Sequence, residues 1–342
     1  MNLLPSGDQL ELVAAAGDFI TSRPPVEEIR VHRDDASPVD PEIWRGGAEL
    51  GLLTLGLDED FGGFGQGIDD EVMVVMELAK HLAVGPFLAS TLGARVAAAT
   101  GHLELVDQIA AGTAMVGLAE LRGDGEIGAD GFKGSFDLLD CTGASHALLV
   151  TRDGAALIEL VEFGDVTPAE SVDPGTRLAT ATVTAGDVTA WLPAGSEWIW
   201  GRAQILASAY LAGLAEAITE ICVEHAKTRE QFGRPIGVHQ AIKHAVVDMA
   251  VRAESATAQT FFAATAFKAG RSDTEFQILA AKTVAAQAAM SNGSGSIQVH
   301  GGMGYTFEHN AHLYLKRAIV YKHLFAGASG VLAELLDLEA AQ

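Results

Sequence analysis

Four long stretches in the last third of the chain repeat apolar residues at the spacing of an α-helix. They lie at 205–218, 241–268, 273–290 and 310–336. Apolar residues at three- and four-residue intervals form one stripe along a helix, and such stripes are buried against one another. Gly270 and Gly293 fall where helices are expected to end. We therefore predict a bundle of long helices from residue 198 onward.

The rest of the chain shows two different patterns of apolar residues. Helix-spaced apolar residues occupy 8–23, 40–53 and 69–100, and the last of these begins with acidic residues that suit a helix N-terminus. From about residue 115 the pattern changes to short β-prone runs at 147–151, 157–162 and 179–184, separated by Gly, Asp and Pro clusters at 123–131 and 173–175. The chain is therefore predicted to be mainly α with a central β domain, in three domains at 1–114, 115–197 and 198–342.

Composition limits the ligands and the compartment. The 342 residues are 49% hydrophobic, which is ample for a large core, and the net charge of −23 opposes binding to nucleic acid or to an anionic membrane. A polyanionic ligand would therefore need a local basic site. The N-terminus lacks the basic region and apolar run of a signal peptide, and we expect no apolar stretch of membrane-spanning length. Cys141 and Cys222 offer no disulfide framework, so a cytoplasmic location is predicted.

Two segments of the C-terminal third carry the most specific motifs. One is TREQFGRPIGVHQ at 228–240, and the other is QVHGGMGYTFEH at 298–309. A Gly-Gly turn by itself is weak evidence, because such turns often only connect helices. Both motifs together, with helical sequence between them, are much more specific.

The predicted order of domains is a helical segment, a small β domain and a helical bundle. This order, together with the two motifs, resembles that of the acyl-CoA dehydrogenase family. The DFGGFG run at 60–65 is similar to the Gly-Gly turn of that family's N-terminal domain. The resemblance implies an N-terminal helical domain, a small β-barrel-like middle domain, a C-terminal four-helix bundle and FAD as cofactor. It covers essentially the whole chain and is strongest at 205–318.

In this family the two motifs reach across a subunit interface to a flavin that is held mainly by the neighbouring subunit. The resemblance implies that Arg229 meets the FAD pyrophosphate, that Phe232 packs near the cofactor and that Gln240 forms a hydrogen bond nearby. A guanidinium suits this role because it can pair bidentately with phosphate oxygens. The second motif contributes Gln298, Gly301 and Gly302, the glycines allowing close backbone approach to the adenosine portion of FAD.

The catalytic base of the family is missing from both positions where it is expected. Removal of the α-proton of an acyl-CoA requires a carboxylate at the α-carbon while a hydride passes to the flavin. The first expected position, at 324–329, reads LFAGAS, and the second, at 202–204, reads RAQ. Glu197 lies several residues too early. Glu308 follows the Gly-Gly turn, where the family pattern has a structural acid beside a helix start.

The middle domain also departs from the family pattern. Its flavin-facing signature normally contains a proline, a Gly-Ser-Asp run and a tryptophan, whereas this chain has GLAELRG at 117–123 and KGSFDL at 133–138. Trp191, Trp198 and Trp200 come later and are expected to pack in a core or at the domain junction.

By this resemblance, the chain has the residues that family members contribute to a neighbouring subunit's FAD. It lacks the residues that contact the chain's own flavin ring and the residue that removes the proton. The resemblance then points to the heteromeric α2β2 acyl-CoA dehydrogenases of steroid side-chain breakdown. It implies a second dehydrogenase-like subunit that carries the catalytic glutamate, an acyl-CoA substrate and an electron-transfer flavoprotein as acceptor.

Two other functions remain compatible with the sequence. One is a self-sufficient homo-oligomeric dehydrogenase or oxidase-like flavoenzyme with an unconventional base, and the other is a flavin-free binding or scaffold protein of the same fold. His309 and His312 have the spacing of helical metal ligands, but we expect a solvated or capping pair and no metal site. Lys316 and Arg317 are expected on a solvated helix face, and the Ala-rich stretch 276–290 in the bundle core or a subunit interface.

Overall fold

The computed structural model describes residues 5–22, 25–195 and 197–338. The chain folds into two compact units. The first contains the described residues of 1–17, 72–83 and 204–342, and the second those of 18–71 and 84–203. The division into three domains stays a prediction.

Helices make up most of the first unit, whereas the second unit contains both helices and a sheet. The α-helices are α1 (Gly7–Thr21), α2 (Pro25–Val31), α3 (Pro41–Glu49), α4 (Ile68–Lys80), α5 (Phe87–Ala99), α6 (Leu103–Ala110), α7 (Ile199–Thr228), α8 (Gln240–Lys268), α9 (Thr274–His300), α10 (Ala311–Tyr321) and α11 (Gly327–Asp337). The predicted end of the first helix at Arg23 lies outside the described residues.

The prediction that a helix ends near Gly293 is wrong. Helix α9 continues through this glycine to His300, and Leu315 of α10 packs against it so closely that a Cβ on Gly293 would lie 3.0 Å from the Leu315 side chain. The glycine therefore serves close packing of two helices. Gly270 does lie just beyond α8, with φ +59, as predicted. The Ala-rich stretch of α9 is largely buried, in agreement with a core position.

Two predicted long helices are each interrupted. The stretch 310–336 is divided into α10 and α11 by a turn that contains Phe325 and Ala326, whose φ values of 56 and 82 are incompatible with a right-handed helix. The stretch 69–100 is divided into α4 and α5, with left-handed Leu82 and Gly85 between them. Apolar periodicity continued through both breaks and therefore concealed them.

The expectation that the chain contains no apolar stretch of membrane-spanning length is wrong for helix α7. By length and composition alone it is long and apolar enough to cross a bilayer. Most of its apolar window is buried inside the protein. A central helix of a folded core has the same composition, because it too is surrounded by apolar groups.

The second unit contains a seven-stranded mixed sheet. Its strands are β1 (Val116–Gly128), β2 (Gly131–Leu139), β3 (His146–Thr151), β4 (Gly154–Glu159), β5 (Thr167–Ala169), β6 (Leu178–Gly186) and β7 (Ala190–Pro193). Their spatial order is β5-β6-β2-β1-β3-β4-β7, and β1 and β3 are the parallel pair. The predicted β-prone runs 147–151 and 179–184 lie in β3 and β6, whereas 157–162 begins in β4 and continues into a 3-10 helix at Leu160–Phe163. The Gly-rich cluster 123–131, predicted to separate strands, instead forms the end of β1 and the turn into β2.

An aromatic cluster forms the core beneath this sheet. The Phe136 ring lies 5.4 Å from Phe132 and 5.6 Å from Phe163, centroid to centroid, in edge-to-face arrangements. All three side chains are buried. Such contacts add to the free energy gained by removing the rings from water.

Removing the central ring of this cluster should destabilise the second unit. We expect Phe136→Ala to lower the free energy of unfolding by about 3–5 kcal/mol, because a cavity replaces a fully buried ring. Phe232→Ala removes the same atoms from a side chain that is 91% exposed, and should cost about 0.5 kcal/mol or less. Urea unfolding of both variants measures the difference, and equal losses would contradict the assignment of the core.

Candidate cofactor-facing site

Arg229 follows helix α7 directly and begins a short hairpin. Its backbone N–H donates to His225 O at 2.9 Å, and its carbonyl accepts from Ile236 N–H at 2.8 Å, so the backbone is fixed on both sides. The hairpin strands are β8 (Glu230–Gln231) and β9 (Arg234–Pro235). The Arg229 side chain is exposed. A held backbone thus presents an exposed guanidinium.

Phe232 occupies the tip of this hairpin. Phe232 and Gly233 are the two turn residues, with φ values of 55 and 76, which is the left-handed pair that a type I′ turn requires. A bulky side chain rarely takes this conformation, and this ring is 91% exposed. The hairpin tip therefore combines a strained backbone with an exposed aromatic ring.

Gln240 is the first residue of α8 and is exposed. His239, immediately before it, faces the hairpin, and its ring centroid lies 6.3 Å from that of Phe232. The His239 Nε2 atom is buried without a hydrogen-bond partner among the described residues. A buried polar atom without a partner costs free energy, so this nitrogen marks a position where an additional polar group would be favourable.

The second motif begins in the last turn of α9. Gln298 is exposed, and its carbonyl accepts the N–H of Gly301, which ends the helix with φ +61. Gly301 therefore has a conformational reason to be glycine. At Gly302 an added Cβ would meet no atom of this chain within 4 Å, and φ is not positive. Nothing within the described chain thus requires glycine at 302, whereas close approach by an external ligand would.

The structure brings the two motifs together through three histidines. The ring centroids of His225 and His300 are 4.3 Å apart, and those of His300 and His309 are 4.2 Å apart. His225 lies four residues before Arg229, and His300 immediately precedes Gly301. All six residues predicted to face a cofactor are exposed. The three tilted histidine rings, called the histidine stack, join the ends of α7 and α9 and the start of α10.

Both positions expected for a base are occupied by other groups. In the first unit, Gln204 is fully buried, and its Nε2 donates to Phe325 O. Lys282 is also fully buried and donates from Nζ to Leu324 O at 3.0 Å. Two side-chain donors therefore hold neighbouring carbonyls of the left-handed loop, and the two expected base positions, Gln204 and Ala326, lie close together without a carboxylate.

Arg202 belongs to a buried ion-pair cluster in the second unit. Its Nη1 donates to Glu71 Oε2, and the Glu71 side chain is 3% exposed. Arg95 lies beside the same carboxylate and also donates from Nη1 to Glu197 Oε2 at 3.1 Å. Burial lowers the pKa of the Arg202 guanidinium, and Glu71 opposes that shift. Glu197 is thus a partner of Arg95.

The positions of the missing flavin signature lie in an antiparallel hairpin, whose register shifts between Arg122 and Glu126. Residues 117–123 lie in β1 and 133–138 in β2, with Leu121 opposite Phe136 and Arg122 opposite Ser135. Trp191 packs against the same core, and Trp200 is buried beneath the Arg152 guanidinium at 4.2 Å. The expected core role of these two tryptophans agrees with the structure.

Two expectations about helix α10 are wrong in part. Arg317 is 1% exposed, and its Nη1 donates to Ala83 O at 2.9 Å and Tyr210 Oη at 2.6 Å, so it does not lie on a solvated face. His312 is buried, whereas His309 caps the helix by accepting the Ala311 N–H at 3.1 Å. Among the described residues, no group of three or more His, Cys, Asp and Glu could hold a metal ion.

Several residues of the site gave no motif-level signal. His225, His300 and Lys282 were not predicted to have a role, and Glu71 lies far from either motif in sequence. The one local hint was that His300 lies within the second motif, since His225 precedes the first motif and lies outside it.

Comparison with known proteins identifies the relatives of this fold. The acyl-CoA dehydrogenase N-terminal domain matches residues 6–112, and the acyl-CoA dehydrogenase C-terminal domain matches residues 198–337. Acyl-CoA dehydrogenase IpdE2 of Mycolicibacterium smegmatis is 30% identical over 85% of this chain and 86% of its own length. Acyl-CoA dehydrogenase FadE34 of Mycobacterium tuberculosis is 33% identical over 81% of this chain, which spans only 39% of that relative.

A solved structure shares the whole fold. The ChsE4-ChsE5 complex from Mycobacterium tuberculosis contains a chain with a TM-score of 0.84 and 23% identity, with 99% of this chain and 100% of that chain covered. The fold is that of a dehydrogenase-type flavoenzyme. This chain belongs to the acyl-CoA dehydrogenase family, whose cofactor is FAD.

Breaking the Arg202 ion pair should test whether it is structural. We expect Arg202→Met to lower the free energy of unfolding by about 3 kcal/mol or more, because the Glu71 carboxylate stays buried with less compensation. Arg122→Met removes the same charge from an exposed pair with Asp137 and should cost about 1 kcal/mol or less. The double variant Glu71→Gln/Arg202→Met should recover part of the loss. Urea unfolding distinguishes these results, and equal costs for the two single variants would refute a structural pair.

Proposed function

We propose that this chain is the subunit of a heteromeric FAD-dependent acyl-CoA dehydrogenase that completes its partner's flavin site without supplying the catalytic base. The observation that carries the proposal is the exposure of all six cofactor-facing residues, combined with the absence of a carboxylate at both base positions. The partner would be a second dehydrogenase-like chain that carries the glutamate. The substrate would be a CoA thioester, and a steroid side chain is the acyl group that we favour.

The residues present fit the polar half of FAD. The Arg229 guanidinium offers paired N–H donors to the two phosphates, which the chain's net charge of −23 would otherwise repel. The open space over Gly302 allows backbone approach to the adenosine. Gln240 and Gln298 offer exposed amides for hydrogen bonds. The bound FAD would supply hydride acceptance, while this chain would bind and orient its diphosphate end.

The residues at the two expected base positions support the proposal that the partner subunit removes the proton. Gln204 bonds to the loop at Phe325 through a carboxamide, which cannot abstract a proton at physiological pH. In the second unit, Arg202 places a cation where other family members have an acid. A base must lie within hydrogen-bond reach of the proton that it removes. The proton would therefore be removed by the partner.

Several features of the assembly follow from the same proposal. We propose an α2β2 heterotetramer, since each site needs one chain of each kind. An electron-transfer flavoprotein is the proposed acceptor of the electrons. The proposed compartment is the cytoplasm, where the buried thiols of Cys141 and Cys222 would remain reduced.

Flavin counting after co-expression tests the proposal. The chain expressed alone should bind little FAD and have no dehydrogenase activity, and co-expression with its partner should restore both. Stoichiometric FAD on the chain alone would contradict a divided site. Reduction of that flavin by an acyl-CoA would establish the self-sufficient enzyme instead.

Arg229 offers a sharper variant with a matched control. In the co-expressed complex, Arg229→Ala should weaken FAD retention by about tenfold or more, since a charge-assisted contact to phosphate is lost. Arg234→Ala removes an exposed arginine from the same hairpin and should leave retention unchanged. Equilibrium dialysis against free FAD measures both. If the two variants behave alike, the phosphate role of Arg229 is wrong.

A further inference from the structure

The histidine stack lies at the meeting point of three chain segments. His225 is in the last turn of α7, His300 is the last residue of α9, and His309 stands just before α10. Adjacent ring centroids are 4.3 Å and 4.2 Å apart. The neighbouring core is apolar, with Cys222, Met249 and Val299 packed together. The three rings therefore connect the helix ends on which both cofactor-facing segments depend.

The hydrogen bonds of the stack define where its protons are. His300 Nδ1 lies 2.8 Å from Ser296 O, and because a carbonyl can only accept, this nitrogen carries the proton. His309 Nδ1 accepts the Ala311 N–H at 3.1 Å, so this nitrogen carries none. His309 is therefore neutral in the observed arrangement, and protonation of its Nδ1 would break the contact that begins α10.

The charges around the stack have both signs. A cavity of about 550 Å³ borders the three histidines, and Glu220, Glu224 and Glu308 line it as well. These carboxylates would favour an imidazolium. Burial, followed by the neighbouring imidazoles and Arg229, nevertheless lowers the pKa of His225. The net environment of the His225 ring thus favours its neutral form.

We propose that His225, His300 and His309 act as positioning residues that hold the two cofactor-facing segments together while their rings are neutral, so that mild acidification releases the partner's FAD. This inference rests on the proposed function.

One backbone hydrogen bond and one direct chain connection would transmit a displacement of these rings to the two cofactor-facing segments. Arg229 donates its backbone N–H to His225 O, so a displaced last turn of α7 moves the guanidinium. Gly301 follows His300 directly, so displacement of that ring moves the Gly-Gly turn. A protonated His225 would add a second positive charge beside Arg229, and repulsion between these two cations would displace the end of α7.

The pH direction follows from the lowered pKa of His225. A histidine whose folded pKa lies below 6.5 favours the ordered state above pH 6.5, and this contribution is lost as the pH falls through the lowered pKa. Release of FAD is therefore expected on the acidic side of neutrality. Protonation of an ordinary surface histidine would have no such link to the two segments.

The test compares FAD retention by the co-expressed complex with histidine, phenylalanine or alanine at position 225. We expect FAD retention to be about threefold or more lower at about pH 5.5 than at about pH 7.5, with recovery on neutralisation. His225→Phe keeps an aromatic ring but cannot be protonated, and should remove most of this pH dependence. His225→Ala should weaken retention at both pH values. His32→Phe, at an exposed histidine of the second unit, should leave the pH dependence as in the unmodified complex.

Hydrogen exchange of the full chain without FAD separates this inference from the proposed function. After correction for intrinsic rates, amides of 228–240 and 298–309 should exchange faster at about pH 5.5, and His225→Phe should suppress the difference. If the complex binds no FAD at any pH but this exchange pattern is present, the stack is right and the proposed function is wrong. If His225→Phe retains the full pH dependence in both measurements, the stack has no such role.

Discussion

The buried side chain of Asn292 connects the three long helices on which the site is built. Its Nδ2 lies 3.0 Å from Met249 O of α8 and 3.3 Å from both Ala215 O and Thr219 Oγ1 of α7, and its Oδ1 accepts from Arg252 Nε at 2.8 Å. Asn292 itself belongs to α9 and is fully buried. An apolar contact can slide along a helix, whereas these directional bonds fix the relative position of α7, α8 and α9. Arg229, Gln240 and Gly301 all lie at ends of these helices, so their spacing depends on this one amide.

The positions of the missing base show what a chain gains when it need not remove a proton. A catalytic carboxylate must stay accessible and ionised, and its burial without a partner is costly. At Gln204 and Lys282 the chain instead has donors directed at backbone carbonyls of the loop through Phe325. At Arg202 it has a cation matched by Glu71. These contacts hold the loop and pair the buried cation, although Gln204 Oε1 and Glu71 Oε1 are buried without a hydrogen-bond partner among the described residues.

Local sequence patterns supplied the candidate site residues but not the contacts that support them. The motifs at 228–240 and 298–309 are continuous in sequence, so Arg229 and Gly301 were predicted to face a cofactor without a structure. The stacking of His225 on His300 joins residues 75 positions apart, and no pattern within either motif encodes it. Helices were recognised from their apolar period, but their breaks were missed at Phe325, where two consecutive non-glycine residues take left-handed conformations. Such conformations are imposed by tertiary contacts.

The exposed aromatic side chains of the two motifs are a further argument for the proposal that a partner completes the site. An isolated soluble protein gains nothing from a strained, exposed aromatic ring, yet Phe232 is 91% exposed at positive φ, and Tyr305, beside the Gly-Gly turn, is 80% exposed. Both rings belong to the two motifs that also expose Arg229 and Gln298. Aromatic and arginine side chains are the residues that contribute most to protein interfaces once they are buried. Their grouping on the helix ends is costly for a chain alone and favourable for one that is covered by a partner, with the cofactor between them.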